Sequence, residues 1–193
     1  MEPITKADIL GRNEYEASRD DIRRRVMVQK DRRRVKVGEH CTFHFENRDT
    51  MQYQVHEMLR AEKSWTRPGA VEDELEAYNP IVPKHGELSA TMMLEYETAE
   101  ERATMLPKFV GIDGHVHLEI GDTPRIRAVF DRGQIDARKV SSVQYVKFSL
   151  TDDRIRALGT AGTVVRLIID HPAYREQAVF SEDTRKAIAE DPT

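Results

Sequence analysis

Cysteine is nearly missing from this chain. Its one copy, Cys41, has no partner with which to close an intramolecular disulfide, as expected in a reducing compartment. Long apolar runs are missing too: none approaches the roughly 18 residues of a membrane span. The opening MEPITKADIL lacks the charged start and apolar stretch of a secretory signal. These absences predict a cytoplasmic protein that does not enter a membrane. Neither sign of charge dominates. The 30 Lys and Arg residues stand against 34 Asp and Glu, for a net charge of −4, so no overall basicity argues for nucleic acid or an anionic membrane surface. A phosphate-cradling glycine loop, a C-x-x-C pair and a G-x-S-x-G elbow are all lacking. Nucleotide binding, cluster binding by this chain alone and α/β-hydrolase chemistry therefore lose their usual signatures. No internal repeat, low-complexity tract or long linker stands out.

What is present is periodic. Hydrophobic residues make up 39% of the chain and charged ones 33%, but the apolar residues recur in runs that demand a packed core. A length of 193 residues suits a single α+β domain over 1–193, with residues 1–34 as a helical segment packed on it. Residues 3–11 read as a short helix ended by Gly11. Residues 13–31 read as a long one capped by Asn13, with Tyr15, Ile22, Val26 and Gln29 on one side. In RVKVGEHCTFHF, Cys41, Phe43 and Phe45 alternate with Thr42, His44 and Glu46, the pattern of a half-buried strand. A helix over 48–62 follows directly. An acidic helix with Val71, Leu75 and Tyr78 on one stripe ends at Asn79-Pro80. ELSATMMLEYE is a strand, and Thr98 and Glu101 have the spacing of a capping box. HVHLEIGDTPRIRAVFDRG reads as two strands around a Gly-Asp turn. SSVQYVKFSL is a further strand, TDDRIRALGTAG a helix capped by Thr151, TVVRLIID a central strand covered on both sides, and SEDTRKAIAEDP a terminal helix. Five or six strands with irregularly interleaved helices predict an α+β fold on a mainly antiparallel sheet.

Several polar residues fall in unusual places. At ~100° per residue, Met51, Val55, Met58, Leu59 and Ala61 share one sector of the 48–62 helix, and Glu62 projects about 20° from Met51. A carboxylate buried there must be paired, bound to metal or shifted upward in pKa. The opposing reading is that the helix has reached solvent by its last turn, or that an arginine pairs with Glu62. Tyr78 continues its helix's apolar stripe, with a hydroxyl able to reach Glu62 or Glu95, and Asn79 beside it serves the same spot or simply stops the helix. DHPAYR gathers Asp170, His171 and Tyr174 at a strand end, a frequent place for functional groups. Structurally, Pro172 forces an extended turn there and His171 can satisfy backbone groups. In GHVHLEI, His115, His117 and Glu119 share one strand face at ~7 Å intervals. That donor set suits zinc or ferrous iron, and equally the solvent face of a hairpin. The arginine-rich RRRVMVQKDRRR spreads around its helix and lacks aromatic neighbours for base stacking, so it reads as a solvated helix rather than a nucleic-acid site. Cys41 alternates with Phe43 and Phe45, as a small core residue would.

Taken in order, FENRDTMQYQVHEMLRAE, ELEAYNPIVP, SATMMLEYE, SSVQYVKFSL and IIDHPAYR resemble an uncharacterised bacterial family, domain-of-unknown-function family 3501. The resemblance runs over nearly the whole chain. It implies no catalytic residues, since none is established for the family. It does imply a setting, because members are often encoded beside a rubrerythrin-like di-iron protein and an iron-sulfur oxidoreductase subunit. On that setting rests the first functional expectation: an accessory or binding protein of an iron-dependent redox system, with those two proteins as partners. Its binding candidates are Glu62, Tyr78, Asn79, His171 and Tyr174. The alternative is a small metal-dependent enzyme holding iron or zinc in a Glu/His site drawn from Glu62, His171 or the strand residues His115, His117 and Glu119. Nucleic-acid binding ranks last.

Overall fold

Alternation in the sequence becomes two-sidedness in the fold. The computed structural model describes residues 1–131 and 140–193. Five strands form one antiparallel sheet: β1 (Arg34–Val37), β2 (Cys41–Glu46), β3 (Glu87–Leu94), β6 (Val129–Phe130) and β7 (Val143–Ser149), in the spatial order β1-β2-β3-β7-β6. Four form a second: β4 (Val116–Ile120), β5 (Ile126–Arg127), β8 (Val165–His171) and β9 (Tyr174–Val179), in the order β5-β4-β8-β9, again antiparallel. The inward residues of both sheets, among them Phe43, Phe45, Met92, Phe148, Leu118 and Leu167, merge into one core. Removing each such side chain from water contributes roughly 1.5–3 kcal/mol. The fold is α+β, as the pattern predicts.

One extended segment links the sheets. Ile126 pairs with Leu118 in the second sheet, Phe130 pairs with Val146 in the first, and the Ala128 N–H between them donates to the Val116 carbonyl. At another side the β1–β2 turn docks on β9. Tyr174 Oη donates to the Val37 carbonyl at 2.7 Å and accepts from the His40 N–H at 3.1 Å. Gly38 makes this approach possible: at φ +68° a side chain is strained, and a Cβ would lie 2.5 Å from the Tyr174 hydroxyl.

Helices cover the outer face of the first sheet. They are α1 (Arg12–Arg32), α2 (Arg48–Ala61) and α3 (Ala70–Tyr78), while α4 (Ala99–Met105), α5 (Asp152–Gly159) and α6 (Glu182–Ile188) are shorter. Asn47 caps α2 in a reciprocal box with Thr50, each side chain meeting the other's N–H at 3.0 Å. Because that cap follows Glu46 with no linker, α2 folds straight back over the sheet it leaves. Met51 then packs with Ile4, Ile81 and Val82, and Val55 and Leu59 pack with Ala70. α1 is clamped to α2 by Glu57, which accepts two hydrogen bonds from Arg19 at 2.8 Å and one from Tyr15 at 2.7 Å. Arg19 and Tyr15 hold the Glu57 carboxyl down to about 2. Where α1 passes into β1, the buried Arg33 guanidinium donates to the carbonyls of Phe45, Glu46 and Ala187 and pairs with Asp191, so the C-terminus is tied to the same corner.

Several expectations need correction. The described residues hold nine strands rather than five or six. β9 escapes the pattern because it is largely exposed and carries no apolar run; pairing with β8 makes it a strand. β8 is covered only in part on its outer side: Val165, Leu167 and Ile169 face the core, while on the other face Ile168 is buried and Arg166 and Asp170 are half-buried. The segment 3–11 holds only a 3-10 turn at Lys6–Asp8, and α1 is capped by Gly11 rather than Asn13. The Thr98–Glu101 capping box forms as its spacing predicts. Among the described residues no helix is long and apolar enough to cross a membrane.

Candidate ligand-binding pocket

The residues singled out by sequence scatter across the fold. Glu62 is exposed, because α2 ends at Ala61 and Glu62 is its C-cap. The 100° wheel that set it on the apolar stripe assumes a helix and a partner surface that both continue past that point. Asn79 is a structural clamp: its amide accepts from the Ile4 N–H at 2.7 Å and donates to the Ile4 carbonyl at 2.9 Å, holding the N-terminal segment in place. His171 is buried in the β8–β9 turn. Its Nδ1 accepts from the Ala173 N–H, and Nε2 faces the Val110 carbonyl at 3.2 Å, so both ring nitrogens serve the backbone. Tyr174 is the β9 lock already described.

His117 and Glu119 lie on the outer face of β4, and His115 precedes that strand, but the three form no metal site. Glu119 is taken by Arg166 at 2.6 Å and Arg125 at 3.5 Å. His115 and His117 instead approach Asp170, at 2.9 and 3.7 Å, and the His115 hydrogen bond holds the Asp170 carboxyl below its ordinary value. Among the described residues no group of three or more His, Cys, Asp or Glu is arranged to hold a metal ion.

Only Tyr78 of the binding candidates borders the cavity that does bring chemistry together. This cavity, about 370 Å³, lies between the outer face of the first sheet and the inner sides of α1 and α2. Its floor is set by strand register. Arg34, His44, Thr91 and Tyr145 stand directly opposite one another across β1, β2, β3 and β7. Two residues along β2 from His44, Glu46 points to the same face. Met51, Met93 and Val143 supply apolar wall, Gln54 and Tyr78 close one side, and Lys30 and Asp31 border the other.

Glu46 is the unusual member. It is 3% exposed, yet it forms no ion pair among the described residues. Its carboxylate is held by two hydroxyls: Thr50 donates to Oε2 at 2.6 Å and Thr91 to Oε1 at 2.8 Å. A carboxylate offers about four acceptor positions, so two remain. His44 is half-buried, and that burial pushes its pKa below the ordinary value while Glu46 pulls it back. Burial also raises the phenols of Tyr78 and Tyr145, while Gln54 beside Tyr78 draws that phenol part of the way back. An acid, an imidazole and two phenols thus converge on a space walled by methionine and valine, the make-up of a small-molecule site.

Sequence reasoning missed His44, Glu46, Thr91 and Tyr145 because alternation says which residues share a face, not what lies above it. A signal was available. An acidic residue that ends a strand and directly precedes the cap of an amphipathic helix lands beneath that helix.

Fold and pocket define a class: two antiparallel sheets around one core, with three helices closing a cavity of mixed polar and apolar lining over one outer face. The chain belongs to the family described as Protein of unknown function (DUF3501), whose sequence profile matches residues 3–192. It is also similar to a novel protein of unknown function from Burkholderia pseudomallei K96243, known from a crystal structure. The two share 34% sequence identity with a TM-score of 0.91, over 98% of this chain and 99% of that one. No curated protein matches the chain.

Proposed function

We propose that this is a small-molecule-binding protein of the cytoplasm, a single domain whose ligand sits between the first sheet and helices α1 and α2. The observation that carries the reading is Glu46, a carboxylate withdrawn from water without a cationic partner among the described residues, bordering a cavity of about 370 Å³. Burying an unpaired charge costs several kcal/mol, and a site that receives a ligand is a reason to retain it. The test is a ligand screen by NMR against the full chain, repeated with Val143→Trp, which fills the cavity from β7. Compounds that perturb Tyr78 and Tyr145 in the native chain should lose at least about tenfold in affinity, or ~1.4 kcal/mol, in the variant. Unchanged binding in the variant would place the site elsewhere.

A finer role, as an accessory protein to rubrerythrin-like and iron-sulfur partners, is supported by the family resemblance alone. Co-purification from a native host tests it, and recovery of the protein without any redox partner would count against it.

A further inference from the structure

The pocket has two electrically different ends, and this constrains what it holds. At one end is Glu46, with two unused acceptor positions and no paired cation among the described residues. At the other, on the β1 and α1 side of His44, are Lys30 and Arg34, close enough for both to act electrostatically on the His44 ring. The Lys30 ammonium has no hydrogen-bond or ion-pair partner among the described residues, and the Arg34 guanidinium has only a loose contact with the exposed Asp31, at 3.9 Å. Met51, Met93 and Val143 supply apolar lining, Met93 and Val143 from the row beyond His44 and Thr91 as seen from Glu46. A ligand of one charge would satisfy one end and strand the other.

We infer that the ligand is a small zwitterion, with an ammonium group set against Glu46 and an acid group, carboxylate or phosphate, set against Lys30 and Arg34. Its short carbon body lies in the space between them. This rests on the pocket being a ligand site and adds the charge pattern of what fills it. The ammonium donates to the free positions on Glu46, giving the carboxylate the cation it lacks. The acid group accepts from Lys30 and Arg34, whose reach accommodates either a planar carboxylate or a tetrahedral phosphate.

The test uses matched probes on the intact chain: γ-aminobutyrate against butylamine, butyrate and neutral butanamide, and phosphoethanolamine against ethanolamine and ethyl phosphate. NMR titration is followed at Tyr78 and Tyr145. At least one zwitterion should bind about tenfold or more tighter than either of its half-molecules, the scale of one charge-assisted hydrogen bond. Which series shows the gain tells carboxylate from phosphate. Glu46→Gln should bring the zwitterion down to the level of its acid-only half while leaving that half unchanged. Lys30→Ala combined with Arg34→Ala should do the reverse. If a half-molecule or butanamide binds as well as the zwitterion, the charge pattern is wrong while the pocket stands as a ligand site. Silence from every probe overturns the zwitterion, and the Val143→Trp screen then judges the pocket separately. The comparison among probes needs no variant, so a poorly folded Glu46→Gln chain does not rescue the idea.

Discussion

The outer faces of the two sheets carry the same kinds of residue under opposite conditions. On the second sheet Glu119 meets Arg166 and Arg125, and Asp170 meets His115 and His117, with every one of these side chains reaching solvent. On the first sheet Glu46 and His44 lie under α1 and α2, and Glu46 has hydroxyls for partners where Glu119 has guanidinium groups. Charges in water settle with one another at little cost or gain. A charge beneath a helix is sensitive to every hydrogen bond around it. A carboxylate on a strand therefore signifies little until the layer above it is known.

Substitutions can break or sharpen this contrast. The largest effect is expected at the corner where the covered face begins. Arg33→Met leaves Asp191 buried without its cation and removes the donors to Phe45, Glu46 and Ala187. A stability loss of about 3–5 kcal/mol is expected in urea unfolding, and a loss below about 1 kcal/mol would show that the corner is solvated. Next come the hydroxyls on Glu46. Thr50→Val or Thr91→Val withdraws one of its two donors, at a cost of about 1–3 kcal/mol each. Unaltered stability in both variants would mean that water already reaches the carboxylate.

A pH titration probes the same face more gently. Burial pushes His44 and His56 below the ordinary histidine value of about 6.5. In His56, Nε2 accepts from the Leu10 N–H while Nδ1 faces the Gln52 carbonyl, so protonation breaks a bond. The unfolded chain takes up these protons first. Stability held above about pH 6.5 is therefore lost as pH falls toward the folded-state values. His117 on the second sheet shares the direction, also through burial. Urea midpoints measured from pH 7 to 5 should decline, and less steeply in His44→Gln; an identical slope in that variant would remove His44 from the account. The smallest effect belongs to the bare face. Glu119→Gln should cost no more than about 1 kcal/mol, and a loss rivalling the threonine variants would erase the distinction between the faces.

Much of the fold was legible because it rests on periodicity. Phe43 and Phe45, and Met92 and Leu94, face the core that their alternation predicts. The antiparallel character and the capping box at Thr98 came from local rules. The pocket was not legible, because its members come from α1, α2, β2, β3 and β7 and meet only through register and layering. Of the binding candidates, Tyr78 reaches it, because its stripe faces the cluster around Met51. Asn79, His171 and Tyr174 stood out as polar residues at element ends, and they are there to satisfy backbone groups and hold segments together. Glu62 stood out because a helical wheel has no end and a helix does.

The segment Ile126–Phe130, shared between the sheets, also limits how the molecule can move. With that strap on one side and the Gly38–Tyr174 latch on another, the sheets cannot slide or gape without tearing strand pairing. Any larger movement is left to the helices, where α1 is held to α2 by Glu57 with Arg19 and Tyr15, by Glu16 with Arg60, and by the Tyr15 ring stacked on His56.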